Sequence, residues 1–210
     1  RQFEGSRAGA QPDAAALALA VTHAREACRL DADHAEAWAT LGFVLARTPA
    51  GIDALAASRR AVALEPGNWC HHLRLAAGSW GEERLHAAYS TLALAPHCPF
   101  AHLLAATVYV ARRVLDRAER ELDGGLAETQ DASYEPARLP AVALHWLKGL
   151  LCLARGADDE GLRAFEAELA LEARGHFYSR ECCANAWYAI GVHRLGREGR
   201  EPAMAAFCEA

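Results

Sequence analysis

One spacing recurs four times in this chain: a small residue in one apolar stretch is followed, twelve positions later, by a small residue in the next. Gly42 and Ala54, Ala106 and Ala118, Gly149 and Gly161, and Gly191 and Ala203 all obey it. The surroundings repeat too. Trp38-x2-Leu41-Gly42 is echoed by Trp187-x2-Ile190-Gly191, and Ala203-x3-Phe207 by Gly161-x3-Phe165 and, more loosely, by Ala118-x3-Leu122. Internal repetition of this kind points to an array of like units, each burying its apolar face against its neighbours. The step has a steric reading. Two helices approach to roughly 8–10 Å only where small residues meet, so Gly42 and Gly149 mark where a first helix is crossed by a second, and Ala54 and Gly161 mark the same crossings from the other side. Trp38, Leu41, Tyr109, Phe165, Ile190 and Phe207 are left to fill the space around them.

Composition favours helices for these units. Alanine is abundant, β-branched residues are sparse, and no alternating apolar and polar run bounded by turn signals makes a strand. The periodicity predicts helices over 13–30, 35–47, 52–64, 68–79, 82–95, 99–112, 115–127, 140–154, 158–172, 181–195 and 199–210. Pro66 and Pro96 follow the apolar ends of two of them, where a missing N–H and a restricted preceding residue stop the helix. Residues 1–12, with Gly5, Gly9 and Pro12, read as a frayed or disordered lead-in or a poor first helix, and 124–140, with Gly124-Gly125 and Pro136, as the longest break and a hinge. A chain of 210 residues with 52% hydrophobic content buries a sizeable core as one continuous domain, 13–210.

The quoted residues resemble the tetratricopeptide repeat, whose pattern is a Trp, then Leu-Gly, a Tyr, an Ala, an aromatic residue and a closing Pro. The copy over 35–68 has the 34-residue period of that family and carries Trp38, Leu41, Gly42, Leu45, Ala54, Ala61 and Pro66 in place. Further copies lie near 69–98 (His72-x2-Leu75-Ala76, closing at Pro96), 99–127 (His102-x2-Ala105-Ala106-x2-Tyr109), 142–172 and 184–210. The resemblance implies an all-α, right-handed solenoid of antiparallel helix pairs, a superhelix of about ten to eleven helices. It also implies a non-catalytic scaffold that binds another protein, as a peptide or a helix, in a concave groove lined by the first helix of each pair. Carried over by position, that groove consists of Glu36, Phe43, Arg47, Leu73, Phe100, Leu103, Thr107, Trp146, Leu150, Asn185, Tyr188 and Val192. An alternative reading makes the array a regulatory or sensor segment of a larger enzyme or transcription regulator. Two specialised uses of the repeat find no residues here. A clamp for a terminal carboxylate needs Lys and Asn where this chain has Ala39, Phe43 and Leu73, and an asparagine ladder needs more than Asn68 and Asn185.

Other functions are excluded on chemical grounds. A net charge of −5 lacks the basic footprint of a nucleic-acid binder, and Arg59-Arg60 and Arg112-Arg113 read as solvated helix ends. No run approaches the 18 or so apolar residues of a membrane span, and no signal peptide is visible. The seven cysteines contain no C-x2-C, and the adjacent Cys182-Cys183 pair cannot easily close a relaxed disulfide, so a reducing cytoplasmic setting is expected. His97-Cys98 with His102, and Cys70-His71-His72, are the densest ligand-bearing clusters. Yet His72, His102 and His145 stand where the first copy has Trp38, so packing explains them better than metal does. No phosphate loop, dinucleotide motif or nucleophile–base pair accompanies them, and neither cofactor, metal nor catalytic residue is expected. Oligomeric state has no signal. The chain begins with Arg1 and stops at Ala210, where the repeat pattern expects its last helix to continue; it therefore reads as part of a longer protein.

Overall fold

The computed structural model describes residues 13–128, 143–171 and 179–210. Among them are eleven helices and no strand: α1 (Ala14–Leu30), α2 (Ala35–Leu45), α3 (Gly51–Leu64), α4 (Trp69–Gly78), α5 (Gly81–Leu94), α6 (Pro99–Ala111), α7 (Leu115–Glu128), α8 (Leu144–Ala154), α9 (Asp158–Leu169), α10 (Ser179–Arg197) and α11 (Arg200–Glu209). Helix starts follow capping chemistry. Asp13 accepts from the N–H of Ala15, His34 from that of Ala37 and Asn68 from that of Cys70, which satisfies donors that the first turn leaves open. Helices α3 and α5 end two residues before Pro66 and Pro96, as the restriction on the pre-proline residue requires.

Two compact units divide the chain, Arg1–Val108 and Tyr109–Ala210. In the first, α2 packs on α3 and α4 on α5, with α1 laid against α2. In the second, α8 packs on α9, α10 on α11, and α7 against α8. The division falls inside α6. The expected break at 124–140 begins later than the sequence indicated, because α7 runs through Gly124-Gly125 to Glu128 and buries Leu122, Gly125 and Leu126 on one face. The rest of that segment, like the lead-in 1–12 and the first residues of the helix expected from 140, lies outside the described residues. Arg59 and Arg60 are interior to α3, not at its end; they pair with Glu83 and Asp33 on the neighbouring elements.

Three of the crossings, at Gly42, Gly149 and Gly191, are where the spacing placed them. A Cβ on Gly149 would lie 2.5 Å from Cε1 of Phe165, a fully buried ring. A Cβ on Gly191 would run into the ring of Phe207, and one on Gly42 into Ser58 and, at 3.0 Å, the carbonyl of Ala54. From the opposite side, a Cβ on Gly161 would come within 3.1 Å of the carbonyl of Gly149. A fifth instance of the twelve-residue step joins Ala76 to Ala88, both fully buried. Around the crossings in the first unit, Leu41, Val44, Leu45, Ala54 and Ala57 form a core with Ala24 and Cys28 of α1. In the second unit, Phe165, Ala186, Ile190 and Ala206 do so, with Trp146 and Leu150 packed on them.

Two further ties hold helices to what precedes or follows them. Trp38 donates its indole N–H to the carbonyl of Ala32 at 2.8 Å, and His72, one copy later, donates Nε2–H to the carbonyl of Pro66 at 2.8 Å. Both reach back six residues into the turn before their helix. A histidine can therefore replace the tryptophan because it keeps the one polar bond that this position makes. The second tie is Glu168, fully buried near the end of α9. Helix α8 has no side-chain cap of its own, and Ala143 before it is left-handed (φ 71°). The carboxylate of Glu168 accepts instead, from the N–H of Ala143 at 2.8 Å and of Trp146 at 3.0 Å. Burial pushes this carboxyl above its usual range, against the opposing effect of those N–H groups.

The crossings and ties make two predictions. Gly149→Ala should destabilise the protein by about 1–3 kcal/mol through overpacking, and Gly191→Ala by less, because Phe207 is only half-buried and can move; Gly67→Ala, which meets nothing within 4 Å, should stay within about 0.5 kcal/mol. Urea melts of the three variants check the order. Glu168→Gln keeps the shape but turns an amide N–H₂ toward a backbone N–H, and should cost about 1–3 kcal/mol in the same assay; an unchanged midpoint would show that α8 does not need this cap.

Candidate functional site

Side chains of the first helix in each pair that point away from the second helix form the candidate surface, and the two units carry different chemistry on it. In the first unit the surface is ionic and cationic–aromatic. Glu36 on α2 receives Nη1 of Arg74 on α4, with oxygens at 2.8 and 2.9 Å, and Nδ1 of the buried His71 lies 4.0 Å from the same carboxylate. Phe43 is exposed and has the guanidinium of Arg47 stacked 3.6 Å above its ring centroid, while Arg47 also donates to the carbonyl of Phe43. Thr107 on α6 is half-buried and accepts from Arg84 at 3.0 Å. Phe100 is half-buried at the start of α6.

Leu73 and Leu103 do not belong to this surface. They are 6% and 7% exposed and sit in the core. The position-by-position transfer from the repeat pattern assigned them to a groove, yet at the same position of the first copy Ala39 is buried as well. Successive first helices also pack on one another, as α2 and α4 do, so a place on a first helix is not by itself a place in the open.

In the second unit the surface is apolar. Leu150 on α8 and Tyr188 and Val192 on α10 meet, with Leu153, Ala189, His193 and Asp158, around an open cleft of about 300 Å³. Tyr188 is 61% exposed and Val192 50%, so the apolar wall faces solvent. Tyr188 leans on Phe207 with ring centroids 5.7 Å apart, and Asp158 is held by Arg197 at 2.6 Å, which leaves His193 as the polar group of the wall nearest Val192 in sequence. Trp146 is half-buried against the core cluster of Phe165, Ala186 and Ile190 and so belongs partly to packing. Asn185 is exposed one turn before Tyr188. Sequence reasoning missed Leu153, Ala189 and His193, although Leu153 lies three residues beyond Leu150 and shares its helix face.

In the Cys70-His71-His72 cluster each imidazole takes part in hydrogen bonds. His72 is bonded to Pro66, and Nε2 of His71 lies 3.1 Å from Glu65 Oε2 and 3.3 Å from Asn68 Nδ2. Burial lowers the pKa of His145, with Lys148 adding to the effect. Among the described residues no three His, Cys, Asp or Glu side chains are grouped so as to hold a metal ion. The seven cysteines all lie among the described residues, and no disulfide joins them. Burial pushes Cys182 to about 12 and raises Cys28, Cys98 and Cys152, so these thiols stay protonated at neutral pH and are poor nucleophiles. No helix of the described residues is long and apolar enough to cross a membrane.

No protein-family model matches the sequence, and no curated protein does. Solved structures do match. One chain of the APC/C hetero-tetramer Cut9-Hcn1 superposes with a TM-score of 0.73 at 17% identity, over 93% of this chain and 36% of its own length. YrrB, described as a TPR protein with an unusual peptide-binding site, matches at TM-score 0.55 and 18% identity, over 90% of this chain and 91% of its own. The thermophilic TPR protein TTC0263 of Thermus thermophilus matches at TM-score 0.59 and 21% identity, over 81% of this chain and 90% of its own. At such identities the likeness speaks to fold, and it agrees with the crossings, turns and helix order described above: the chain has the all-α fold of tetratricopeptide-repeat proteins.

Proposed function

We propose that this chain is a non-catalytic protein-interaction module whose second unit receives an apolar segment of a partner, as an extended peptide or an amphipathic helix, in the cleft between α8 and α10. The observation that carries the reading is the cleft itself. Leu150, Leu153, Tyr188, Ala189 and Val192 present a continuous apolar wall to solvent, with His193 and Asp158 as polar groups to orient what enters. Such a wall suits the recognition modes in which alternate or i, i+4 apolar anchors of a ligand enter a groove. Structural relatives include a protein described by its peptide-binding site, which fits the same use of the fold. In the first unit, Glu36, Phe43, Arg47, Phe100 and Thr107 offer a more polar surface to a partner.

The reading separates residues that bind from residues that pack. Tyr188→Ser and Val192→Ser should each weaken capture of a partner selected on the parent protein, for example from a displayed peptide library, by at least about fivefold, while costing under about 1 kcal/mol of stability. Trp146→Ser should cost about 2–4 kcal/mol, because its ring is part of the core of that unit. Unaltered affinity in both cleft variants would overturn the assignment of the cleft as the binding site.

A further inference from the structure

The turn between α4 and α5 is unlike the α2–α3, α8–α9 and α10–α11 turns, and the difference builds a polar site that the fold does not require. Helices α3, α9 and α11 each begin three residues before the small residue of their crossing. Helix α5 begins at Gly81, seven residues before Ala88, and so carries an extra N-terminal turn. Only Ser79 and Trp80 connect it to α4, and Gly81 takes a left-handed conformation (φ 65°) to make so short a connection. Four residues before the crossing residue stands Arg84, where the other copies have Ala50, Val114, Ala157 and Gly199. Four copies thus make their turn with no side chain of this kind.

Arg84 is half-buried and held by neutral acceptors. Its Nε donates toward the carbonyls of Ser79 at 2.8 Å and Ala76 at 3.1 Å, and its Nη1 to Thr107 Oγ1 at 3.0 Å. Nη2 reaches the carbonyl of Ala77 only at 3.5 Å. Thr107 fixes the geometry by donating its own hydroxyl to the carbonyl of Leu104 at 2.6 Å. A guanidinium has five N–H groups, so one donor on each terminal nitrogen is left over. No carboxylate among the described residues pairs with the group, and burial lowers its pKa. The end of α4 offsets part of the charge through its carbonyls, but a dipole end is worth less than an anion. Beside the guanidinium, the indole of Trp80 is stacked at 4.3 Å and is 58% exposed, while the buried hydroxyl of Ser79 has no hydrogen-bond partner among the described residues.

We propose that Arg84 and Trp80, with Thr107 as a positioning residue, form a recognition site for an acidic peptide: a carboxylate on the two remaining guanidinium donors and an adjacent apolar residue on the indole. Fixed forks that lack only their anion favour carboxylates through charge-assisted, paired hydrogen bonds. The proposal rests on the reading of the chain as an interaction module and gives the first unit a ligand chemistry of its own, distinct from that of the apolar cleft in the second.

The test follows the indole N–H resonance of Trp80, assigned with Trp80→Phe, in the ¹⁵N-labelled full chain. Three acetylated pentapeptides are titrated: glutamate between two leucines with an amidated end, its glutamine counterpart, and the glutamine peptide with a free terminal carboxylate. The glutamate peptide should bind at least about tenfold more tightly than the amidated glutamine peptide. That preference should vanish in Arg84→Gln, and Trp80→Ala, followed instead by the backbone amide resonances of Ser79 and Arg84, should weaken both peptides alike. If the free-carboxylate peptide matches the glutamate peptide, the site takes a chain terminus; if it matches the neutral one, the site takes an acidic side chain. Equal binding of the glutamate and glutamine amides to the parent protein, a comparison that needs no variant, would overturn the proposal. Binding at the Tyr188 cleft is read separately, so failure here leaves the module reading standing.

Discussion

Three of the helix pairs among the described residues come together where one helix gives up its side chain. Gly149 leaves room for the ring of Phe165, Gly191 for that of Phe207, and Gly42 for Ser58 and the carbonyl of Ala54. A crossing fixes the distance and rotation of its pair most firmly at Gly149, because interiors are close-packed and the fully buried ring of Phe165 has nowhere to go, whereas the half-buried Phe207 can yield. Once the pair is fixed, the outward face of its first helix is fixed too. The candidate surface, made of Phe43 and Arg47 in one unit and of Leu150, Tyr188 and Val192 in the other, is therefore a consequence of small residues that lie on the opposite side of the same helices.

Contacts outside the pairs add orientation more than energy. Arg59–Glu83, Arg60–Asp33 and Arg74–Glu36 join successive elements of the first unit, but all are open to solvent and are worth at most about 1 kcal/mol each. The bonds from Trp38 to Ala32 and from His72 to Pro66, the second of them part-buried, tie the entry of a helix to the turn before it. Glu168 does the same across a pair, from the end of α9 to the start of α8. Together these set where each helix begins, and hence which residues reach the surface.

Helix positions were legible in the sequence because they rest on local signals: apolar period, Asp13 and Asn68 as caps, Pro66 and Pro96 as stops. The crossings were legible because a glycine in a helix interior costs stability and needs a steric reason. The surface was legible only in part. Leu73, Leu103 and Tyr188 occupy equivalent positions, yet the first two are buried and the third is open, a difference of surroundings that the position in the repeat does not encode. Glu168 reads as a solvated charge until its place on the buried side of α9, beside Phe165, is known. Arg84 was hidden for a different reason: its meaning comes from the two-residue connection Ser79–Trp80, and that connection is visible only by comparing where each second helix starts.

The dependence of the pair geometry on a missing side chain can be measured as a coupling. A double-mutant cycle of Gly149→Ala and Phe165→Leu, read by urea denaturation, compares the cost of the added methyl with the ring present and with the ring shortened. The account predicts strong non-additivity, with the alanine costing at least about 1 kcal/mol less in the leucine background, because the atoms it strikes are gone. Additive costs within about 0.3 kcal/mol would contradict it, and would mean that Gly149 is not the point on which the α8–α9 pair is built.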